Sequence, residues 1–296
     1  MRVVYSPQYH LDFGAHVFPT GKYRRVAERL EAAGLVPDGF VAPVTAEWDD
    51  LARAHTPAFL DAVAHGRLTA DEIARLEIPC TPVIVDGFRL MTGGTITATR
   101  LALDGTDRIA VHIGGGFHHA FAGHGEGFCL FNDVAVAIHD AFAGHRAHRA
   151  AVVDLDVHHG NGTAAIFAGD ARVFTLSIHE DANYPAVKPP GSLDIGLPRG
   201  TGDADYLGRL GAALERTLEH YPDLLVYLAG ADPYLDDQLG GLALTMAGLR
   251  RRDRAVFDAA RAAGLPIVTL LAGGYARRLD DTVAIHVATI EEAARG

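Results

Sequence analysis

The amino-acid sequence predicts an α/β protein, a three-layer sandwich in which helices flank a central, mostly parallel β-sheet. Short runs rich in Val, Ile and Leu recur along the chain, bounded by Gly, Asp or His, a pattern typical of buried parallel strands. Segments with helical spacing alternate with these runs. Polar clusters follow the ends of four runs, and parallel strands deliver such clusters to one edge of a sheet. The sequence therefore predicts a site at that edge.

The predicted elements begin with a short strand and continue in alternation. The first strand is expected at 3–5, and helices are expected at 22–33, 57–65 and 82–103. Further strands are expected at 109–113, 150–155, 173–178, 224–228 and 267–271. Between them helices are expected at 132–142, 204–220 and 245–263, and Gly264 and Pro266 end the last of these.

Composition and charge narrow the class of protein. The 296 residues are 49% hydrophobic and contain no linker or repeat, which favours a single domain over residues 1–296. The formal net charge of −11 argues against nucleic-acid binding. No apolar run approaches the roughly 20 residues that span a bilayer. Two cysteines and the absence of a signal-peptide pattern predict a cytoplasmic protein.

A candidate metal site follows the strand at 150–155. Asp156 and His158 are two residues apart, so in an extended chain their side chains point the same way. Asp232, after the strand at 224–228, is the candidate third ligand, and such a set leaves a position open for water. A histidine in a chain with 16 of them is more often a surface or hydrogen-bonded core residue. Spacing alone does not decide between these alternatives.

Two further clusters could supply proton transfer and oxyanion stabilisation. His118 and His119 follow a run of glycines that lets the backbone turn beside a ligand, although a polar loop with incidental histidines explains them equally well. Tyr275 follows two glycines and could present its hydroxyl to an oxyanion, although a core tyrosine is the default explanation. Gly127, Phe128 and Cys129 could form a narrow apolar wall, with core packing of Phe128 and Cys129 as the alternative.

In combination these motifs resemble the histone deacetylase superfamily, with its arginase/deacetylase-like fold. The motifs occur in the order expected for that superfamily, and they are GGFHHA at 115–120, GFCLFND at 127–133, DLDVHHGNGT at 154–163, GAD at 230–232 and GGY at 273–275. The chain is most similar to class IV-type bacterial members. The resemblance covers most of the chain.

The resemblance implies roles for individual residues. The zinc ligands of the superfamily match Asp156, His158 and Asp232, and Fe²⁺ is an alternative metal for such ligands. Its other site residues match the tandem His118 and His119, the oxyanion donor Tyr275, Asp154 as partner of His118, and Asn161 as partner of His119. A structural potassium site matches Asp154, Ser177 and the main-chain carbonyls of Asp156, His158 and Ile178. The acyl-chain tunnel matches Gly127, Phe128 and Tyr184.

The implied activity is zinc-dependent hydrolysis that removes acyl groups, acetyl or longer, from N-acylated amines. Acyl-lysine is the first substrate class, and an acetylpolyamine or a small acylated metabolite is the alternative. A two-metal, arginase-like manganese hydrolase and a noncatalytic acyl-lysine binding protein are the competing hypotheses. Some relatives carry Asp where this chain has Asn161, so His119 should be less basic here than beside an aspartate.

Overall fold

The computed structural model describes residues 1–295, and its centre is one sheet of seven parallel strands in the order β1-β2-β7-β6-β3-β4-β5. The strands are β1 (Arg2–Val4), β2 (Ile109–His112), β3 (Ala150–Asp154), β4 (Val173–Glu180), β5 (Leu193–Leu197), β6 (Leu224–Leu228) and β7 (Ile267–Leu270). All of the pairings between these strands are parallel. The predicted α/β class with a parallel sheet is confirmed.

Helices connect the strands and flank the sheet. They are α1 (Gly21–Ala32), α2 (Trp48–Leu51), α3 (Pro57–Ala64), α4 (Ala70–Leu76), α5 (Pro82–Asp104), α6 (Asp133–Ala143), α7 (Asn161–Ile166), α8 (Asp203–Leu218), α9 (Met246–Ala262) and α10 (Leu279–Ala294). Helix α5 packs against α6 and strands β1, β2 and β7, whereas α10 packs against α1, α9 and β2. Among residues 1–295, no helix is both long and apolar enough to span a bilayer.

Local capping explains where several helices begin. The Thr81 hydroxyl accepts a hydrogen bond from the Ile84 N–H, and Pro82 occupies the first turn of α5. Thr245 caps α9 in the same way, and the Asn132 side chain caps α6 through the Ala135 N–H. These side chains satisfy backbone donors that the first helical turn leaves free. The helices predicted from spacing therefore begin within two residues of the expected positions.

The sequence patterns missed one strand, three short helices and the last helix, α10. Strand β5 lies at the edge of the sheet, alternates half-buried and exposed positions before the buried Leu197, and contains Gly196, so it lacks the continuous apolar run of the interior strands. Helices α2, α4 and α7 have 4, 7 and 6 residues, too few to display helical periodicity.

The strand order explains how distant sequence clusters meet. Strands β2, β7, β6 and β3 are consecutive neighbours in the sheet. Because all four run in the same direction, the loops after their carboxyl ends lie side by side. Those loops carry the candidate site residues at 114–119, 273–275, 231–232 and 156–161.

Candidate active site

The three predicted metal ligands come together at the carboxyl edge of the sheet. Asp156, His158 and Asp232 are buried, and each offers one ligand atom within 4.8 Å of the other two. His158 Nδ1 lies 3.0 Å from Asp156 Oδ1 and 3.6 Å from Asp232 Oδ2. A single ion could therefore contact all three side chains.

The hydrogen bonds of the carboxylates fit a bound cation. Asp156 accepts from the Gly273 N–H at 2.8 Å, and Asp232 Oδ1 accepts from the Val157 N–H at 2.9 Å. Asp232 Oδ2 is buried and has no hydrogen-bond partner among residues 1–295. A buried carboxylate oxygen without a partner is costly, and a metal ion would satisfy it. Two carboxylates with one imidazole suit Zn²⁺ or Fe²⁺.

The electrostatics of the same three groups favour a bound positive charge. Burial, reinforced by the neighbouring Asp156 carboxylate, raises the pKa of Asp232 to about 7. Burial alone would lower the pKa of His158, but the hydrogen bond to Asp156 and the charges of Asp156 and Asp232 raise it to about 10. The metal-free cluster therefore favours binding protons, which a divalent cation would displace.

Next to this cluster lies a pair of buried histidines with different partners. The His118 Nδ1 donates to Asp154 at 2.6 Å, and the His119 Nδ1 donates to Asn161 Oδ1 at 2.7 Å. The two Nε2 atoms face each other at 3.1 Å. The resemblance implied both of these partners.

The partners separate the basicities of the two histidines. Burial opposes protonation of His118, but the charges of Asp154 and Asp156 raise its pKa to about 9. Burial and the nearby His118 hold the pKa of His119 well below 6.5. One imidazole is therefore suited to hold a proton and the other to accept one, the arrangement that acid–base catalysis uses.

Tyr275 is held beside the Asp156–His158–Asp232 cluster by contacts that the sequence did not reveal. Its backbone N–H donates to Asp237 Oδ2 at 2.7 Å, and Asp237 Oδ1 accepts from Leu239 and Gly240. The buried Lys22 donates to the carbonyl of Ala272 at 2.7 Å, in the loop that leads to Tyr275. Burial raises the pKa of Tyr275 well above 10, so its hydroxyl stays protonated.

A cavity of about 210 Å³ lies between these side chains. Its lining includes Asp156, His158, His118, His119 and Tyr275, together with the predicted tunnel residues Gly127, Phe128 and Tyr184.

The aromatic walls of the cavity are close together. Phe18 stacks on Phe128 with ring centroids 6.1 Å apart, and Tyr184 meets His119 edge-on at 4.9 Å. Phe18 and Glu77 also line the cavity, and the sequence patterns missed both. Phe18 lies between β1 and α1, and Glu77 directly follows α4, and neither was predicted as a site residue.

The predicted potassium-site side chains lie on neighbouring strands. Asp154 pairs with Ser177 in the register of β3 and β4, and both line a small cavity of about 10 Å³. Asp154 also accepts from the Asp156 N–H at 3.2 Å, and the Ser177 hydroxyl lies 3.0 Å from His179 Nδ1. The assignment of potassium to these side chains and to the carbonyls of Asp156, His158 and Ile178 stays a prediction.

The fold and the site together define a class: an α/β protein with clustered Asp and His side chains at the ends of parallel strands. The family model for the histone deacetylase domain matches residues 16–290. The chain belongs to this family.

Relatives of this chain include bacterial and plant proteins. It is 39% identical over 287 residues to an uncharacterised protein of Picosynechococcus sp., covering 96% of this chain and 95% of that protein. It is 33% identical to histone deacetylase 2 of Arabidopsis thaliana, covering 92% of this chain and 74% of that protein. The crystal structure of the HDA15 HD domain superposes with a TM-score of 0.80 at 25% identity, covering 99% of this chain and 90% of that one.

Proposed function

We propose that this protein is a zinc-dependent hydrolase that removes acyl groups from N-acylated amines, with acyl-lysine as the substrate class. The observation that carries the proposal is the shared cavity: Asp156 and His158 of the Asp156–His158–Asp232 cluster line it, together with the histidine pair and Tyr275. The membership of the chain in the histone deacetylase family supports the same chemistry.

The ion would be held by Asp156, His158 and Asp232, and Zn²⁺ is proposed with Fe²⁺ as the alternative. When bound, it supplies Lewis acidity that polarises the scissile carbonyl and lowers the pKa of water. The remaining chemistry is assigned to side chains of the chain itself.

Proton transfer is assigned to the histidine pair. His119, whose pKa lies well below 6.5, is neutral at physiological pH and accepts the proton of the attacking water through Nε2. His118, held by Asp154, keeps its positive charge beside the reacting centre. The pair then returns a proton to the departing amine. Asn161 accepts from the Nδ1–H of His119, which leaves the lone pair of the neutral imidazole on Nε2.

Oxyanion stabilisation is assigned to Tyr275. Its hydroxyl is protonated, and its backbone is fixed by Asp237, so it is preorganised to donate to the oxygen that gains charge during attack. The aromatic walls formed by Phe18, Phe128 and Tyr184 surround the acylated arm of the substrate and exclude water.

A second candidate substrate is an acetylated polyamine. The carboxylate of Glu77 lines the cavity, and a carboxylate there favours an acyl amine that carries further positive charge. The net charge of −11 acts in the same direction.

We also propose a domain organisation, a cellular location and a second ion, which the amino-acid sequence predicts. These are one catalytic domain over residues 1–296, a cytoplasmic location, and a structural potassium ion at Asp154 and Ser177. No nucleic acid or membrane partner is proposed.

Rates on a matched substrate panel test the proposed function. The panel contains lysine peptides acylated with chains from acetyl to long fatty acyl, together with acetylated polyamines. We expect hydrolysis of at least one of these classes by reconstituted enzyme and loss of hydrolysis after metal removal. A protein that binds these ligands but turns none of them over would contradict the proposal and favour a binding protein.

A further inference from the structure

A continuous series of hydrogen bonds passes through the two histidines and ends on a carboxylate at each side. At one end His118 donates to Asp154, and at the other His119 donates to Asn161. Asn161 in turn donates through Nδ2 to Glu126 Oε1 at 2.7 Å. The series therefore connects Glu126 to the proposed proton-transfer pair, although Glu126 is not among the residues that line the cavity.

The carboxylate of Glu126 determines which way the Asn161 amide faces. An ionised carboxylate only accepts hydrogen bonds, so the Asn161 atom at 2.7 Å from it must be the NH₂ group. The opposite orientation would place two oxygens in contact at that distance. The amide oxygen must consequently face His119, which has to donate from Nδ1.

The tautomer of His119 follows from this orientation. A neutral imidazole with its proton on Nδ1 carries its free lone pair on Nε2, the atom that faces His118. Without a fixed amide, the Asn161 NH₂ could face His119 instead and would favour the other tautomer, which has no lone pair on Nε2.

We propose that Glu126 is a positioning residue for the hydrolysis, because it fixes the amide of Asn161 and thereby the tautomer in which His119 acts as a base. The inference rests on the proposed function for its catalytic meaning. Its structural part, the tautomer, is independent of turnover.

The surroundings of Glu126 are consistent with an ionised side chain. Burial raises the pKa of Glu126, but hydrogen bonds from His124, Asn161 and Tyr184 lower it below its ordinary value overall. The side chain is 17% exposed, and its second oxygen lies 3.3 Å from His124 Nε2. The Glu126 backbone also exchanges hydrogen bonds with Cys129. These contacts suggest a competing explanation, in which Glu126 only stabilises the conformation of its own loop.

Single variants separate the two explanations. Glu126→Ala removes the acceptor for Asn161, and we expect kcat to fall about tenfold. Because Glu126 also contacts Tyr184 of the cavity wall, any change in KM is assigned to that second contact. His124→Ala removes the outer contact with Glu126 and the stacking of His124 on Phe121, but it leaves the contact between Glu126 and Asn161 in place. It serves as the matched control, with kcat close to wild type. If both variants lose the same activity, the loop explanation is correct and the proposal is overturned.

An exchange of the two groups gives a stricter test. Asn161→Asp places a carboxylate against Glu126, a repulsive pair, whereas Glu126→Gln combined with Asn161→Asp restores a donor and an acceptor in reversed order. All kcat values are taken at the plateau of the pH profile and expressed as fractions of the wild-type kcat. We expect the fraction for the double variant to exceed the product of the fractions for the two single variants by about tenfold. A double variant that equals that product would overturn the proposal. Metal content and thermal unfolding of each variant show that it is folded and loaded.

The tautomer can be measured without turnover. In metal-free protein labelled with ¹⁵N-histidine, the His119 signals are assigned by their loss in His119→Gln. We expect one Nδ1-protonated tautomer in wild type and a mixture in Glu126→Ala. An unchanged tautomer in Glu126→Ala would overturn the proposal. A wild-type protein with no hydrolase activity would refute the proposed function while leaving this measurement informative.

Discussion

At the scale of single residues, the proposed hydrolysis depends on which side chains hold protons and which accept them. Burial and neighbouring charge move the pKa values of His118 and His119 in opposite directions, although the residues are adjacent in sequence. The difference arises from their outer partners, a carboxylate for one and an amide for the other. Two identical side chains thereby become suited to different steps.

Tyr275 provides the first prediction. Tyr275→Phe removes the hydroxyl that would donate to the oxyanion, so turnover should fall roughly a hundredfold or more with metal still bound. Tyr23→Phe is the matched control, because it removes another buried hydroxyl from a residue outside the cavity lining. Steady-state rates and metal content are the measurements. Equal rates for wild type and Tyr275→Phe would exclude the proposed role.

Asn161 provides a second prediction. A base acts only when deprotonated, so activity is lost as the pH falls through the pKa of His119. Asn161→Asp adds a negative charge at the Nδ1 of His119 and raises that pKa, so the acidic limb of the kcat/KM profile should move to higher pH. Measuring the profile in the Glu126→Gln background avoids repulsion between adjacent carboxylates. An acidic limb that does not move would refute this assignment.

At the scale of elements, the loops after four strands must approach each other closely for the site to form. Gly273 shows how closely: a Cβ at this position would collide with Asp232 Oδ2 and lie 2.5 Å from Asp156 Oδ2. The glycine after β7 thus leaves the space that the carboxylates of two other loops occupy. A side chain there would displace metal ligands.

A third prediction follows from this packing. Gly273→Ala should weaken zinc binding strongly, because the added methyl group displaces both carboxylates. Gly208→Ala in α8 adds the same methyl group in open space and should stabilise the helix by about 0.5–1 kcal/mol. Zinc titration of both metal-free variants compares them. Wild-type zinc affinity in Gly273→Ala would show that the cluster is not the metal site.

The elements also show what the sequence could predict. Interior strands such as β3 and β6 were recognisable because burial on both faces requires a continuous apolar run. The edge strand β5 was not, since its exposed face interrupts that run. Asp156, His158 and Asp232 were recognisable because polar residues directly follow apolar strands.

Other site residues had no comparable local signal. Lys22 and Asp237 act through the backbone of residues distant in sequence, Ala272 and Tyr275, so only the fold brings them together. Glu126 depends in the same way on its contact with Asn161. A contact that joins separate loops has no spacing rule along the chain.

At the scale of the whole molecule, several buried histidines are neutral in the folded state and connect distant segments. His55 donates to the carbonyl of Phe121 and accepts from the Asn132 N–H, each at 3.0 Å. Burial lowers its pKa to about 4. Burial likewise lowers the pKa of His112 to about 3 and that of His179 to about 4.

These shifts predict how stability depends on pH. The unfolded histidines bind protons below about pH 6.5, whereas the folded ones resist protonation to about pH 4 for His55. The contribution of these histidines to the free energy of unfolding should therefore be fully present above about pH 6.5 and fall as the pH drops toward 4. The loss is about 3 kcal/mol for His55 alone.

Urea unfolding between pH 7 and pH 5 tests this dependence. His55→Gln should flatten the slope of the free energy of unfolding against pH, because one buried group that resists protonation has been removed. His65→Gln alters a histidine whose side chain is 62% exposed and should leave the slope close to wild type. A slope that is the same in wild type and His55→Gln would refute the assignment of the pH dependence to His55.

The central claim is that one metal ion, held by Asp156, His158 and Asp232, supports hydrolysis of an N-acyl amine. The most direct measurement is the titration of metal-free enzyme with Zn²⁺ while hydrolysis of an acetyl-lysine peptide and of an acetylpolyamine is followed. We predict no hydrolysis without metal, and a rate of hydrolysis that rises until one equivalent of ion per chain has been added. A rise that continues to two equivalents, or activity that is independent of metal, would contradict the central claim.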